Sequence, residues 1–156
     1  MKVLLHVTNG FSTSDKQKIT RAAELVELVC NSNLFREKML SARFTSSKGM
    51  TNQQIYDLFM SGDCAFSDLD QTMDLKVTLY KPRWRWSKVV GYVNPGKWMI
   101  WVNRHFFATP VSVGHNLTHE YCHQIGFSHV SAKEHSSVPY TVGYLFQDCC
   151  KEMGLS

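Results

Sequence analysis

The residues with the most chemistry in this chain lie together, at His119-Glu120-Tyr121-Cys122-His123-Gln124-Ile125-Gly126-Phe127-Ser128-His129. On a helix, residues four apart share a face, one turn apart. His119 and His123 can therefore offer two imidazoles to one metal ion. Gly126 lets the chain leave the helix in a conformation that a Cβ resists, so the chain turns back and His129 can offer a third nitrogen. Three neutral imidazoles leave a fourth tetrahedral position for water, the pattern of catalytic rather than structural zinc. Zinc lowers the pKa of such a water toward about 7. Glu120, beside His119, can reach that water without being a ligand, as a general base and then a proton carrier to a leaving amine. The plain structural reading is a surface helix that happens to be rich in histidine.

The short His-Glu-x-x-His spacing recurs by chance, and the added Gly126 and His129 make the match specific. With them, the segment resembles the metzincin clan of zinc metallopeptidases. The resemblance implies an endopeptidase with one catalytic Zn2+, ligands His119, His123 and His129, Glu120 as base, and a peptide or protein as substrate. Metzincins also carry a tight turn with a Met beneath the metal, often Ser-x-Met-x-Tyr in the astacin-like branch. Here Ser136-Ser137-Val138-Pro139-Tyr140 keeps the Ser and the Tyr in register but has Val138 in place of the Met. By the same resemblance Tyr140 binds zinc weakly or donates a hydrogen bond to the oxyanion of the tetrahedral intermediate; the alternative is a tyrosine packed under the site. Residues 75–150 also resemble small single-domain metallopeptidases of phage and bacterial genomes, which would allow release or association with a virion. The first 70 residues match nothing as specific.

The elements that must position these groups are legible from patterning. Ser14-Asp15-Lys16-Gln17 has capping-box spacing ahead of the apolar stripe Ile19, Ala22, Ala23, Val26 and Val29. It predicts a helix over about 14–31, with a break before Leu34–Leu40. Thr51-Asn52-Gln53-Gln54 repeats the box and opens a short helix through Ile55, Leu58 and Phe59, ended by Ser61-Gly62-Asp63. The alternation of 75–80 predicts a strand, and 89–93 and 98–102 read as two more, joined by the turn signal Asn94-Pro95-Gly96. Thr109-Pro110 predicts the start of the metal helix, which ends at Gly126. A last helix is expected from about Tyr140, with Val142, Leu145, Phe146, Cys149 and Met153 buried. Helices, then strands, then helices predict an α+β fold. The resemblance refines this to a zincin-like arrangement, a small mixed sheet packed on the long first helix and the metal helix. It also implies that an extended substrate pairs with the edge region Val90–Asn103.

Composition bounds the rest. The chain has 156 residues, 44% of them apolar, which suits one domain spanning 1–156 and excludes a disordered tail or a coiled coil. No apolar run is long enough to span a membrane. The first apolar run, about five residues, is shorter than a secretory h-region of roughly 7–15. The five cysteines, Cys30, Cys64, Cys122, Cys149 and Cys150, form no Cys-x-x-Cys pair. Reduced thiols in a cytoplasmic-type compartment are expected. Cys122 is expected as a buried thiol. His115 is expected as a packed or cleft-lining residue and His135 as a fallback third ligand. His6 and His105 read as ordinary polar residues.

The net charge of +4 is unevenly placed: residues 1–80 hold nine basic and nine acidic side chains, and 81–156 hold eight and four. No acid occurs between Asp74 and Glu120. A basic approach to the site would favour acidic peptides and hold Glu120 in its charged form. Lys81-Pro82-Arg83-Trp84-Arg85-Trp86-Ser87-Lys88 alternates cations with indoles. One reading is an exposed hairpin with Trp inward. Another makes the chain a catalytically silent, zinc-stabilised binding module that holds an acidic partner or nucleic acid on this strip. The small number of charges makes nucleic acid the weaker choice.

Overall fold

The computed structural model describes residues 1–8, 10–62, 71–84, 89–94, 98–129, 131 and 134–155. The fold is α+β, with a four-stranded mixed sheet and five helices among the described residues. In chain order these are β1 (Lys2–Val7), α1 (Thr13–Cys30), α2 (Asn33–Ser41), α3 (Asn52–Met60), β2 (Thr72–Tyr80), β3 (Gly91–Val93), β4 (Met99–Asn103), α4 (Pro110–Gln124) and α5 (Val138–Glu152). The sheet order is β1-β2-β4-β3. The first two neighbours are parallel, and β3 lies antiparallel to β4 at the edge.

Local chemistry explains most of the element starts. The cap of α1 is Ser12, two residues before the expected box. Its Oγ accepts from the Asp15 N–H at 3.1 Å, and the Asp15 carboxylate accepts from the Ser12 N–H at 3.0 Å. A carboxylate at this position also suits the positive end of the helix dipole, which Gln17 would not. Ser32 caps α2 and explains the expected break after α1. Thr51 and Gln54 form the box of α3 as read from the sequence.

The sheet's inner face carries Met73, Leu75 and Val77 of β2 and Ile100 and Val102 of β4, all buried. Against it pack the α1 stripe of Ile19, Ala22, Val26 and Val29 and the inner face of α4, Val113, Leu117 and Tyr121. Phe59 of α3 meets the Tyr121 ring edge-on, centroids 5.3 Å apart, so the short helices also anchor on α4.

Several boundaries differ from the expectations. β1 was not foreseen: it is short, and it is defined by pairing with β2 some seventy residues later. β3 holds only three residues, and Val89 and Val90 before it are exposed. Pro95 and Gly96 of the expected turn lie outside the described residues. α5 begins at Val138 and buries Val142, Phe146 and Cys149, but Met153 lies past its end and is exposed. Cys30, Cys122, Cys149 and Cys150 are buried free thiols; Cys64 lies outside the described residues. No helix among the described residues is long and apolar enough to cross a membrane.

The most extensive helix contact among the described residues is between α4 and α5. A Cβ on Gly114 would lie 2.6 Å from Phe146 Cζ, so the phenyl ring sits where a side chain on α4 would be. Gly114→Val should cost about 1–3 kcal/mol by overpacking, and Phe146→Ala about 3–5 kcal/mol by leaving a cavity. Because one change fills space that the other opens, denaturant melts of the double variant should show a loss smaller than the sum.

Candidate metal centre

α4 starts at an N-cap in which Thr109 Oγ1 accepts from the Ser112 N–H at 3.1 Å, with Pro110 in the first turn. It ends in a paired closure. The Gly126 N–H reaches His123 C=O at 3.1 Å and the Phe127 N–H reaches Cys122 C=O at 2.9 Å, with Gly126 at φ +96°. This is the Schellman arrangement, which needs a left-handed residue where Gly126 stands. The turn sends the chain back along the helix and returns His129 toward His119 and His123.

The three side chains meet. One ring nitrogen from each of His119, His123 and His129 lies within 4.8 Å of the others, a group that could hold a metal ion. The ring centroids are 4.9–5.5 Å apart. His123 Nδ1 lies 2.9 Å from the Phe127 carbonyl. That oxygen can only accept, so Nδ1 carries the proton and Nε2 presents its lone pair. His119 hydrogen-bonds the backbone at Pro139. Partners of this kind, behind the ligating nitrogen, orient imidazoles at metal sites. Burial, aided by the other imidazoles, pushes the His119 pKa down to about 3, and burial also lowers that of His123. Both rings therefore stay neutral at ordinary pH, the form that ligates.

Glu120 is 3% exposed, and its Oε2 has no hydrogen-bond partner. Burial alone pushes its pKa up to about 8. The expectation that the basic approach would hold Glu120 charged is not met in the protein by itself, because desolvation by burial decides its shift. Tyr140 packs against the imidazoles, edge-on to His119 with ring centroids 4.6 Å apart and tilted on His129 at 4.8 Å. Burial raises its pKa, so it remains a phenol. Val138 is fully buried at the position expected to underlie the site. The turn that carries it is held from the other half of the chain: Thr45 N–H bonds Ser136 C=O at 2.8 Å, and Ser46 bonds Glu134.

His115 stays out of the group. It is half-buried, packed on Gly143 and edge-on to Tyr144. His135 is exposed, near Tyr140 but outside the group. Residues 81–84 are not part of a strand, and Trp84 is 70% exposed, so the inward-facing hairpin is not formed there. Arg85–Lys88 lie outside the described residues.

The histidines and Glu120 open on a cleft of about 620 Å³ between β3 and α4, walled also by Val89–Val93, Asn116, Phe127 and Tyr140. Asn116 was not singled out from the sequence, although its place one turn before Glu120 puts it on the same face. A larger hollow of about 840 Å³ lies between β1 and α1 and holds no histidine. Comparison with protein-family models, curated proteins and solved structures found no match.

The two large shifts have opposite consequences for the metal-free protein. Glu120 binds its proton more tightly folded than unfolded, so its contribution to stability is present at low pH and is lost as pH rises from about 4.5 to about 8. His119 costs stability as pH falls below 6.5 toward about 3. Glu120→Gln removes the first effect only. Its gain in thermal stability over the wild type should therefore be larger at pH 8.5 than at pH 5, by an amount on the order of a few kcal/mol.

Proposed function

We propose that this chain, as a single domain, is a zinc-dependent endopeptidase of metzincin type. The observation that carries the proposal is the convergence of three imidazoles beside a buried carboxylate with an unpartnered oxygen at the wall of an open cleft. The residues fit zinc. The donors are imidazole nitrogens; burial holds His119 and His123 neutral, and backbone partners orient those two rings. His119, His123 and His129 would hold the ion. When bound, zinc polarises the scissile carbonyl and makes a water acidic enough to attack near neutral pH.

The chain's own groups do the rest. A dication nearby favours the charged form of a carboxylate, so loading the site would reverse the upward shift that burial imposes on Glu120. Glu120 then accepts the proton of the attacking water and passes it to the leaving amine nitrogen. Tyr140, a phenol at ordinary pH, donates a hydrogen bond to the developing oxyanion. The edge strand β3 lines the cleft and aligns an extended peptide by adding it to the sheet. Val138 keeps the apolar floor that a Met supplies in the metzincins, with a smaller side chain.

Metal analysis should find about one zinc per chain. Ala at any of the three histidines should lose it. Glu120→Ala should keep the zinc and lower peptide hydrolysis by about 10²–10⁴-fold, and Tyr140→Phe should lower kcat with little change in KM. A zinc-loaded wild type that cleaves no peptide in a broad library would refute the enzymatic reading. The exposure of Trp84 beside exposed Lys81 and Arg83 favours one rival, a silent zinc-stabilised module that holds an acidic partner or nucleic acid. In that case Glu120→Ala leaves the function intact, Arg83 and Arg85 substitutions abolish it, and binding falls steeply with salt.

A further inference from the structure

The register of β3 on β4 determines which peptide groups of the edge strand face outward. Gly91, Tyr92 and Val93 lie opposite Val102, Trp101 and Ile100. The Asn103 N–H bonds Val90 C=O at 2.9 Å. Hydrogen-bonded and non-bonded pairs alternate along an antiparallel ladder. Val90 and Tyr92 therefore turn their peptide groups toward β4, and Gly91 and Val93 turn theirs toward the edge beside the cleft that no other described strand occupies. An extended chain added antiparallel at that edge would exchange both of its hydrogen bonds with Gly91.

Residues opposed in this way point their side chains to the same face, with Cβ atoms about 5 Å apart. At Gly91 that direction leads to one group. A Cβ there would lie 2.5 Å from Asn116 Nδ2 and 2.9 Å from Oδ1. The absence of a side chain at position 91 is what leaves room for the Asn116 carboxamide under the strand. The side chain of the incoming residue opposite Gly91 would then descend beside that carboxamide. Asn116 is 3% exposed, lines the cleft, and its Nδ2 has no hydrogen-bond partner. A buried donor without a partner is costly, and an acceptor brought in with a ligand would relieve it.

Resting on the reading that the cleft takes an extended peptide, we propose that Asn116 is the floor of a specificity subsite. The subsite selects a short carboxamide or carboxylate side chain, Asn or Asp, at the residue that pairs with Gly91. A carboxamide matches both the donor and the acceptor of Asn116, and a carboxylate accepts from Nδ2–H. An aliphatic side chain leaves Nδ2 unpaired, and Lys or Arg, having donors only, can serve Oδ1 but also leaves Nδ2 unpaired.

The test uses the zinc-loaded Glu120→Gln protein, which would hold peptides without cleaving them, and a set of fluorescent peptides scanned position by position. Anisotropy should show Asn and Asp favoured over Leu and Lys by about tenfold at one position. N-methylation of that same residue should weaken binding comparably, while N-methylation of its immediate neighbours should not. Adding Asn116→Leu should erase the side-chain preference and keep the N-methyl effect. Adding Asn116→Asp should keep Asn and reject Asp, and this variant decides the matter if Asn116→Leu fails to fold. The proposal is overturned by a preference that survives Asn116→Leu, by a preferred residue whose N-methylation is harmless, or by the absence of any Asn/Asp preference or any binding. Wild-type cleavage of the same peptides reports separately on catalysis. A preference without cleavage removes the peptidase and keeps the subsite, and cleavage without a preference does the reverse.

Discussion

Desolvation along one face of α4 is the constraint on which the rest of the site depends. Asn116, His119 and Glu120 all lie at or below 9% exposure on that face, and two of them keep a polar atom with no partner. Side chains of this kind are rarely buried without compensation. Here the compensation is structural: α1, α5 and the sheet surround α4 and supply enough apolar contact to hold it in place. The same burial keeps His119 and His123 neutral and Glu120 protonated in the protein alone. These three groups thus stay uncharged until a cation or a ligand enters. Perturbed groups gathered in a cleft are a recognised sign of a functional site.

A second constraint is the reversal at Gly126. Without it α4 would present two histidines and no third. The Schellman closure brings Phe127 back onto Cys122, and the Phe127 carbonyl onto His123 Nδ1. One turn therefore both returns His129 and sets the tautomer of His123. The segment after it, through Ser136 and Ser137, is latched by Thr45 and Ser46 from the other half of the chain. The N-terminal half, which carries none of the histidine motif, thereby helps place Tyr140 and Val138.

Much of this was legible in the sequence because it is local. The i, i+4 spacing of His119 and His123, the Thr109-Pro110 start and the Gly126 stop each depend on a few neighbouring residues, and all three appear in the structure as read. What was not legible depends on distant pairing. β1 exists because Lys2–Val7 meets β2 far along the chain. The Ser12–Asp15 box prevailed over Ser14–Gln17 through a carboxylate at the helix start, a preference that spacing alone does not display. The contact of Gly91 with Asn116 joins a strand to a helix and leaves no mark on either segment's periodicity. The charge state of Glu120 differs from the expectation for a related reason: the order of charges along the chain says nothing about how deeply one of them is buried.

In the proposed function, His119, His123 and His129 hold zinc without a thiolate and leave one position open. X-ray absorption at the zinc edge of the loaded protein tests it most directly. The expected spectrum has a shell of nitrogen and oxygen scatterers at about 2.0–2.1 Å, with imidazole outer-shell features from three histidines. A sulfur shell at about 2.3 Å, or a fourth imidazole closing the site, would contradict it.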